Sequence, residues 1–517
     1  MTRGTDLRAH VRERIQGALA AEGWSGGGAE EPIVLELPRD FAHGDLACPA
    51  AFALAKRLKR RPAEIAATLV GRLTPDDIIE RAEVAGGGYV NLFFGEGVWL
   101  ALLAEIEAHG AQFGTGRTLS EEHFLVEFIS ANPTGPLVVA NARAAVFGNS
   151  LCRCLEAAGA SVEREYLVND AGAQVRNLAL SVEARWREAV GRPFEIPKDG
   201  YHGEYVRDLA AKARVHFGDA FLPSPDLQLE PSKIEELVEF SVRAMVDRQG
   251  DDLNRLGVRF DRFFSEHELH AAGKVAETLK DLIAAGVTVE REGAVWFLAT
   301  RFGDEKDRVL MKADRQPTYT LPDVAYHRDK FRRNYTCVVN IVGADHIVEQ
   351  GTLRQALTAL GEPVDRLEVI IVQFVNLKRG TEKVVMSKRA GAVVSLAELL
   401  DEVSPDAARF FFLLRAPSSH LDFDLELAKA RTMDNPVYYV QYAHARLCSL
   451  LERAREAGLP PPSAAAAARA GLAEDDARLL LRQLARYPLV VEQAARGRAP
   501  HLLAHELQEL ANAVHQF

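Results

Sequence analysis

Cysteine is scarce in this sequence. Its five copies, Cys48, Cys152, Cys154, Cys337 and Cys448, are scattered and form no CxxC pair. That excludes a disulfide framework or a zinc ribbon and suits a reducing compartment. Cys152 and Cys154 lie two apart in a helical stretch, so they read as packing residues on different sides. A surplus of positive charge is missing too: 62 Lys and Arg face 73 Asp and Glu, a net charge of −11. A generally basic nucleic-acid coat is thereby excluded, whereas a local basic patch is not, because placement sets the field. No apolar run approaches the roughly 20 residues a membrane helix needs. The stretch Met1 to Gln16 is laced with Arg, Asp and Glu and lacks an apolar signal core. The composition, 48% hydrophobic and 26% charged, is that of ordinary globular proteins. A soluble cytoplasmic chain without membrane contact is expected. Its 517 residues correspond to about three domains at roughly 150 residues each.

What is present changes texture along the chain. Residues 5 to 22 alternate charged and apolar positions at helical spacing until Gly26-Gly27-Gly28. Ile33 to Leu37 reads as a strand, Ala50 to Leu58 as a helix running into the basic Lys56-Arg57-Leu58-Lys59-Arg60-Arg61, and Tyr89 to Phe94 as a strand. Residues 1–115 are expected to form a small α+β domain. From Phe124, apolar strands alternate with helices, the pattern of a parallel sheet. Strands are expected at Phe124–Ile129, Val162–Val168, Arg308–Met311, Cys337–Val342 and Leu367–Val375, with a helix from about 140 to 158. Residues 180–295 read as a mostly helical insertion. After Asn435 the pattern is helical, interrupted by a low-complexity loop from Pro460 to Ala468.

Three segments bear chemistry. In the first, Val126-Glu127-Phe128-Ile129-Ser130-Ala131-Asn132-Pro133-Thr134-Gly135-Pro136-Leu137, a strand runs into a Pro/Gly turn and a helix. That arrangement points backbone amides and a positive helix end at the crevice where open α/β sheets bind phosphates. The second, Val384 to Gly391, carries Lys388 and Arg389 among small residues, a cation able to stabilise a polyphosphate. The third, Tyr438 to Arg446, sets aromatic and polar residues at one helix start. Taken singly, each has a plainer reading: a common connection, a solvated basic loop, a bundle interface.

Their order and spacing say more. Together with Tyr166-Leu167-Val168-Asn169-Asp170-Ala171-Gly172, Tyr201-His202-Gly203-Glu204-Tyr205 and Phe260-Asp261, they resemble the bacterial branch of the arginyl-tRNA synthetases, class I ligases. The likeness continues through Pro317-Thr318-Tyr319, Asp323-Val324-Ala325-Tyr326-His327, Gln373-Phe374-Val375-Asn376-Leu377, His420-Leu421-Asp422-Phe423-Asp424 and Asn435-Pro436-Val437-Tyr438-Tyr439-Val440-Gln441-Tyr442. The resemblance implies an α/β fold with a Rossmann-like parallel-sheet catalytic domain over 116–434. An N-terminal tRNA-contacting domain over 1–115 and a C-terminal helical anticodon-binding domain over 435–517, shortened relative to the family, complete it. It implies ATP-dependent activation of arginine and transfer to the terminal adenosine of an arginine-specific tRNA, with Mg2+ accompanying ATP, by a monomer.

On that model Glu127, Asn132, Tyr319 and Asp323 form the arginine pocket, since a planar guanidinium wants carboxylate oxygens plus a hydroxyl or amide. Lys388 holds the α-phosphate and the leaving pyrophosphate, with Ser387 and Met386 shaping its loop. Pro133, Gly135, Val138, Ala140 and Asn141 line the ATP side. There the sequence departs from the family, whose His-x-Gly-His signature is replaced by Val138, Val139, Ala140 and Asn141. A second reading follows from the departure: a synthetase-derived protein that binds tRNA or arginine with little adenylation. The basic run Lys56 to Arg61 is expected to help hold RNA phosphates.

Overall fold

The structure is a computed structural model that describes residues 4–25, 33–36, 38, 41–224, 227–380, 382–383, 394–470 and 475–517. The described chain divides into two compact units, one of residues 1–116, 439–497 and 505–517, the other of 117–438 and 498–504.

In the first unit, strands β1 (Leu46–Cys48), β2 (Ile79–Ala85) and β3 (Tyr89–Phe94) form an antiparallel sheet in the order β1-β3-β2. The turn between β2 and β3 needs glycine: Gly88 has φ 148°, and a Cβ there would meet Pro62 at 2.5 Å. Val11, Ile15, Leu54, Ile65, Leu69, Leu92, Trp99 and Leu481 share one core. Leu481 comes from the helix Asp475–Arg496, whose Arg482 is fixed at 2.5 Å from the buried carboxylate of Asp45. The expected strand Ile33–Leu37 amounts, over its described part, to a single bridge between Glu36 and Ala47. The helix Ala464–Ala470 falls where a loop was expected, since a run of alanines has the highest helix propensity.

In the second unit, β4 (His123–Phe128), β5 (Ser161–Val168) and β6 (Arg262–Ser265) belong to a five-stranded parallel sheet. Then come β7 (Thr288–Arg291), β8 (Ala294–Phe297) and β9 (Arg308–Met311), a separate antiparallel sheet. β10 (Cys337–Gly343) and β11 (Leu367–Val372) complete the parallel sheet, whose order is β11-β10-β4-β5-β6. β12 (Val375–Arg379), β13 (Glu382–Lys383) and β14 (Leu421–Asp424) form a third small sheet. Two readings are thereby corrected. β6 lies inside the stretch expected to be mostly helical, and β9 pairs antiparallel with β8 rather than joining the parallel sheet.

The chain leaves β4 for β5 on one side and returns as β10 on the other. The switch point of this sheet therefore lies between β4 and β10, and open α/β sheets bind ligands beyond the carboxyl ends of the strands at such a point. The helix Val139–Ala157 lies close under β4, because Gly148 has no side chain: a Cβ there would sit 2.4 Å from the Phe128 ring. Four of the five thiols are buried. Burial pushes those of Cys154 and Cys337 up to about 12, and raises those of Cys48 and Cys152 as well. Among the described residues no helix is long and apolar enough to cross a membrane.

Candidate active site

β4 does not end in a relaxed turn. Ile129 and Ser130 take φ values of 73° and 40°, left-handed backbone that costs a β-branched residue about 1–3 kcal/mol. Side chains hold the kink. The Ser130 hydroxyl donates to Glu127 Oε1 at 2.7 Å and accepts the Leu167 N–H at 3.1 Å. Asn169 Nδ2 donates to the Ser130 carbonyl at 3.3 Å and to Asn132 Oδ1 at 3.1 Å. The buried Tyr166 hydroxyl accepts the Ala131 N–H at 3.1 Å and lies 2.9 Å from Gln249 Oε1. Gln249 Nε2 donates to the carbonyls of Asn132 (3.1 Å) and Gly135 (2.8 Å), and the Tyr205 hydroxyl to that of Thr134 (2.7 Å). Burial pushes both phenols well up, so they act as neutral hydrogen-bonding groups. The carbonyls of residues 130–132, 134 and 135 and the N–H groups of Ser130 and Ala131 are thus spoken for, which braces the shape of the turn before any ligand arrives.

The four residues assigned to arginine lie along one hydrogen-bonded network. Asn132 Nδ2 donates to Gln174 Oε1 at 3.0 Å, and Gln174 Nε2 donates to the exposed Tyr319 hydroxyl at 2.8 Å. Tyr319 leads into the helix Thr320–Phe331, which carries Asp323 one turn in. On the other side, Glu127 sits in register with Asn340 of β10 and Glu165 of β5, a polar row across a buried sheet. The helix lays a polar stripe upon that row. Lys330, fully buried, pairs with Glu127 and donates to Asn340 Oδ1 at 2.9 Å. The Tyr326 hydroxyl donates to Glu165 Oε1 at 2.5 Å, and Arg333 pairs with the same carboxylate. Burial alone would raise Glu165, but the hydrogen bond from Arg333 and the charges of Lys330 and Arg333 bring it below the usual carboxylate range.

Lys330, Gln174 and Asn340 were not found from sequence, and Asn169 and His327 were met only within family landmarks. Positions 323, 326, 327 and 330 share a helix face that normally carries apolar residues when it covers a sheet, so the signal available was a polar face where an apolar one belongs.

On the nucleotide side, Pro133 is buried, and a Cβ added at Gly135 would lie 3.5 Å from the Tyr205 hydroxyl. Val138 precedes the helix Val139–Ala157 and bridges Ser395, while the Leu396 N–H donates to the Leu137 carbonyl at 2.7 Å. Ala140 is exposed on the first turn. Asn141 turns back to accept the Val138 N–H on Oδ1 at 3.0 Å. Deeper along the helix, Arg143 is fully buried and donates to the carbonyls of Gln373 (2.8 Å) and Ala416 (3.0 Å). Burial pushes its guanidinium down to about 10. Met386, Ser387 and Lys388 lie outside the described residues. The basic run after Ala50–Leu58 is partly engaged within its own unit: Arg57 donates to the Trp24 carbonyl at 2.5 Å, Arg60 lies over the Trp24 ring, and Arg61 bonds Glu64.

A strained turn braced by side chains, a helix end at the switch point of the sheet and a row of buried charge suit the binding of a cationic substrate beside an anionic one. The chain matches three family models: "Arginyl tRNA synthetase N terminal domain" over residues 5–94, "tRNA synthetases class I (R), catalytic domain" over 103–411, and "DALR anticodon binding domain" over 440–517. It is 43% identical over 491 residues to an arginine–tRNA ligase of Carboxydothermus hydrogenoformans, covering 95% of this chain and 87% of that protein. It is also 43% identical over 519 residues to one from Desulforudis audaxviator, covering 99% and 91%. The arginyl-tRNA synthetase structure from Thermus thermophilus superposes with a TM-score of 0.73 over 98% of this chain and 91% of that one. At 23% identity, that likeness concerns the fold.

Proposed function

We propose, for a chain that belongs to the class I arginyl-tRNA synthetases, the reaction of that family: ATP-dependent activation of arginine and transfer to the 3′-terminal adenosine of tRNA. The observation that carries the assignment to particular residues is the network joining Glu127, Asn132 and Tyr319 at the carboxyl edge of β4, with Asp323 one turn along. Asp323 supplies the carboxylate and Tyr319 the hydroxyl that a guanidinium fork requires. Glu127 and Asn132, on the preformed turn, orient the rest of the amino acid. The arginine carboxylate then attacks the α-phosphorus of ATP, pyrophosphate leaves, and a ribose hydroxyl of the terminal adenosine takes the arginyl group from AMP. Residues 133–141 present the helix end to the nucleotide. Lys388 draws charge from the phosphates as pyrophosphate departs, with Ser387 and Met386 shaping its loop. Mg2+ enters with ATP as the counter-ion of its phosphates.

In this reading residues 1–115 touch the tRNA, 116–434 carry the chemistry and 435–517 meet the anticodon, in a cytoplasmic monomer. The alternative of a binding protein with little adenylation finds no support, for relatives 40–44% identical over nearly the whole chain carry the ligase name. The test is arginine- and tRNA-dependent ATP–pyrophosphate exchange. Exchange should occur with arginine, not with lysine or citrulline, and fall by about 10² or more in Lys388→Ala. Exchange with another amino acid, or undiminished in Lys388→Ala, would overturn the assignment.

A further inference from the structure

Glu127 is not a free anion in this structure. Its Oε1 accepts from Ser130, and its Oε2 is paired with Lys330, a fully buried ammonium packed 4.2 Å from the centre of the Tyr326 ring. The ammonium also donates to Asn340 Oδ1 at 2.9 Å and lies 3.4 Å from His327 Nε2. Because Asn340 gives its oxygen to Lys330, its Nδ2 faces the same His327 nitrogen. Two donors therefore address Nε2, which must accept, and the ring proton sits on Nδ1. Nδ1 donates to Asp323, whose carbonyl is at 2.8 Å and whose Oδ1 is at 3.1 Å. A continuous chain Glu127–Lys330–His327–Asp323 thus joins the two carboxylates read as facing arginine. Among the described residues no lysine or arginine pairs with Asp323.

We infer that Lys330 is a positioning and specificity-determining residue: it neutralises and aims Glu127, and through His327 it aims Asp323. The inference rests on the arginine-pocket reading above. With Glu127 balanced by Lys330, the pocket keeps one uncompensated negative charge, on Asp323, to match the single charge of a guanidinium; the ammonium and carboxylate of a free amino acid cancel each other. Glu127 retains spare lone pairs for a further donor, since a carboxylate offers about four acceptor sites. Without Lys330 the pocket would hold a second unbalanced carboxylate, and neither acid would keep its direction.

The experiment uses the full chain with arginine as the probe, measuring Kd by calorimetry and KM for arginine and for ATP by exchange. Lys330→Met should weaken arginine binding by about 10²-fold, the scale of an ångström-size misplacement, while KM for ATP stays within about twofold. Lys330→Arg should recover part of the loss. His327→Leu, which leaves the Lys330–Glu127 pair intact, should weaken arginine by about tenfold with ATP again unaffected, and it decides the matter if Lys330→Met does not fold. Arginine Kd unchanged in His327→Leu, or KM for arginine and ATP rising together, would overturn the inference. Absence of exchange by the unmodified chain, despite arginine binding that responds to these substitutions, would overturn the ligase reading and leave the clamp standing.

Discussion

Asn141 accepts the backbone N–H of Val138 on its side-chain oxygen, and so closes the first turn of the helix Val139–Ala157 from within. One of the orphan amides at that helix end is satisfied by the residue that stands where the family signature has its second histidine.

Asn141→Ala should therefore cost about 1 kcal/mol, the usual worth of an N-terminal helix cap. Asn141→His should cost nearly as much, because an imidazole cannot reproduce the short amide reach. Chemical denaturation of the full chain checks both. A histidine variant as stable as the parent would show that the cap is dispensable.

Ser130→Gly separates strain from function. Glycine relieves a left-handed backbone at φ 40°, worth about 1–3 kcal/mol, but adds unfolded-chain entropy of about 0.4–1 kcal/mol and loses hydroxyl bonds to Glu127 and Leu167 worth about 1 kcal/mol each. Melting temperature should hardly move while KM for arginine rises, because Glu127 loses one of its two anchors.

Acid should weaken the second unit through Glu165. Its carboxyl titrates below the ordinary range in the folded state, so the stability it contributes is complete above that range and disappears as pH falls through the folded value. Glu165→Gln should cost about 3–5 kcal/mol at neutral pH, since Arg333 loses a buried partner, and should flatten the acid limb of the stability profile. Urea unfolding between pH 7 and 3 gives both readings.

Arg143→Met removes a buried cation that bridges two separated carbonyls. Each acceptor left unsatisfied costs about 1–3 kcal/mol, partly offset by removing the desolvated charge. A net loss near 2 kcal/mol is expected by denaturant titration, and Arg143→Lys should rescue little, having no fork to span both oxygens.

Tyr319→Phe deletes an exposed hydroxyl bonded only to Gln174 among its side-chain partners in the described structure. Stability should stay within about 0.5 kcal/mol. KM for arginine should rise while KM for ATP does not, as exchange kinetics will show.

Much of this architecture could be read from the chain. The strand before Ile129, the Pro/Gly turn and the following helix announce themselves through an apolar run, two prolines and renewed helical spacing. β6 escaped because Arg262–Ser265 is four residues long and lies amid helical sequence, so that only its pairing with Glu165–Val168 makes it a strand. Ile33–Leu37 went the other way over its described residues, 33–36, where a β-rich composition yields one bridge, at Glu36. At the site, Glu127, Asn132, Tyr319 and Asp323 came from family resemblance, and the structure sets them along one network. Lys330 could not have been singled out. It sits 203 positions from Glu127, and only the register of β4 with β10 brings Asn340, His327 and that ammonium together.

The seclusion of the thiols has a practical corollary. Of the five cysteines, Cys448 alone is exposed, on the helix Pro436–Glu456. The other four are both hidden and held as thiols, which are poor nucleophiles. The wild-type chain is thus born with a single chemical handle: a maleimide dye should attach once to the native protein and five times after denaturation. That dye would stand within the stretch matched by the anticodon-binding model, reporting on tRNA arrival without a single engineered residue.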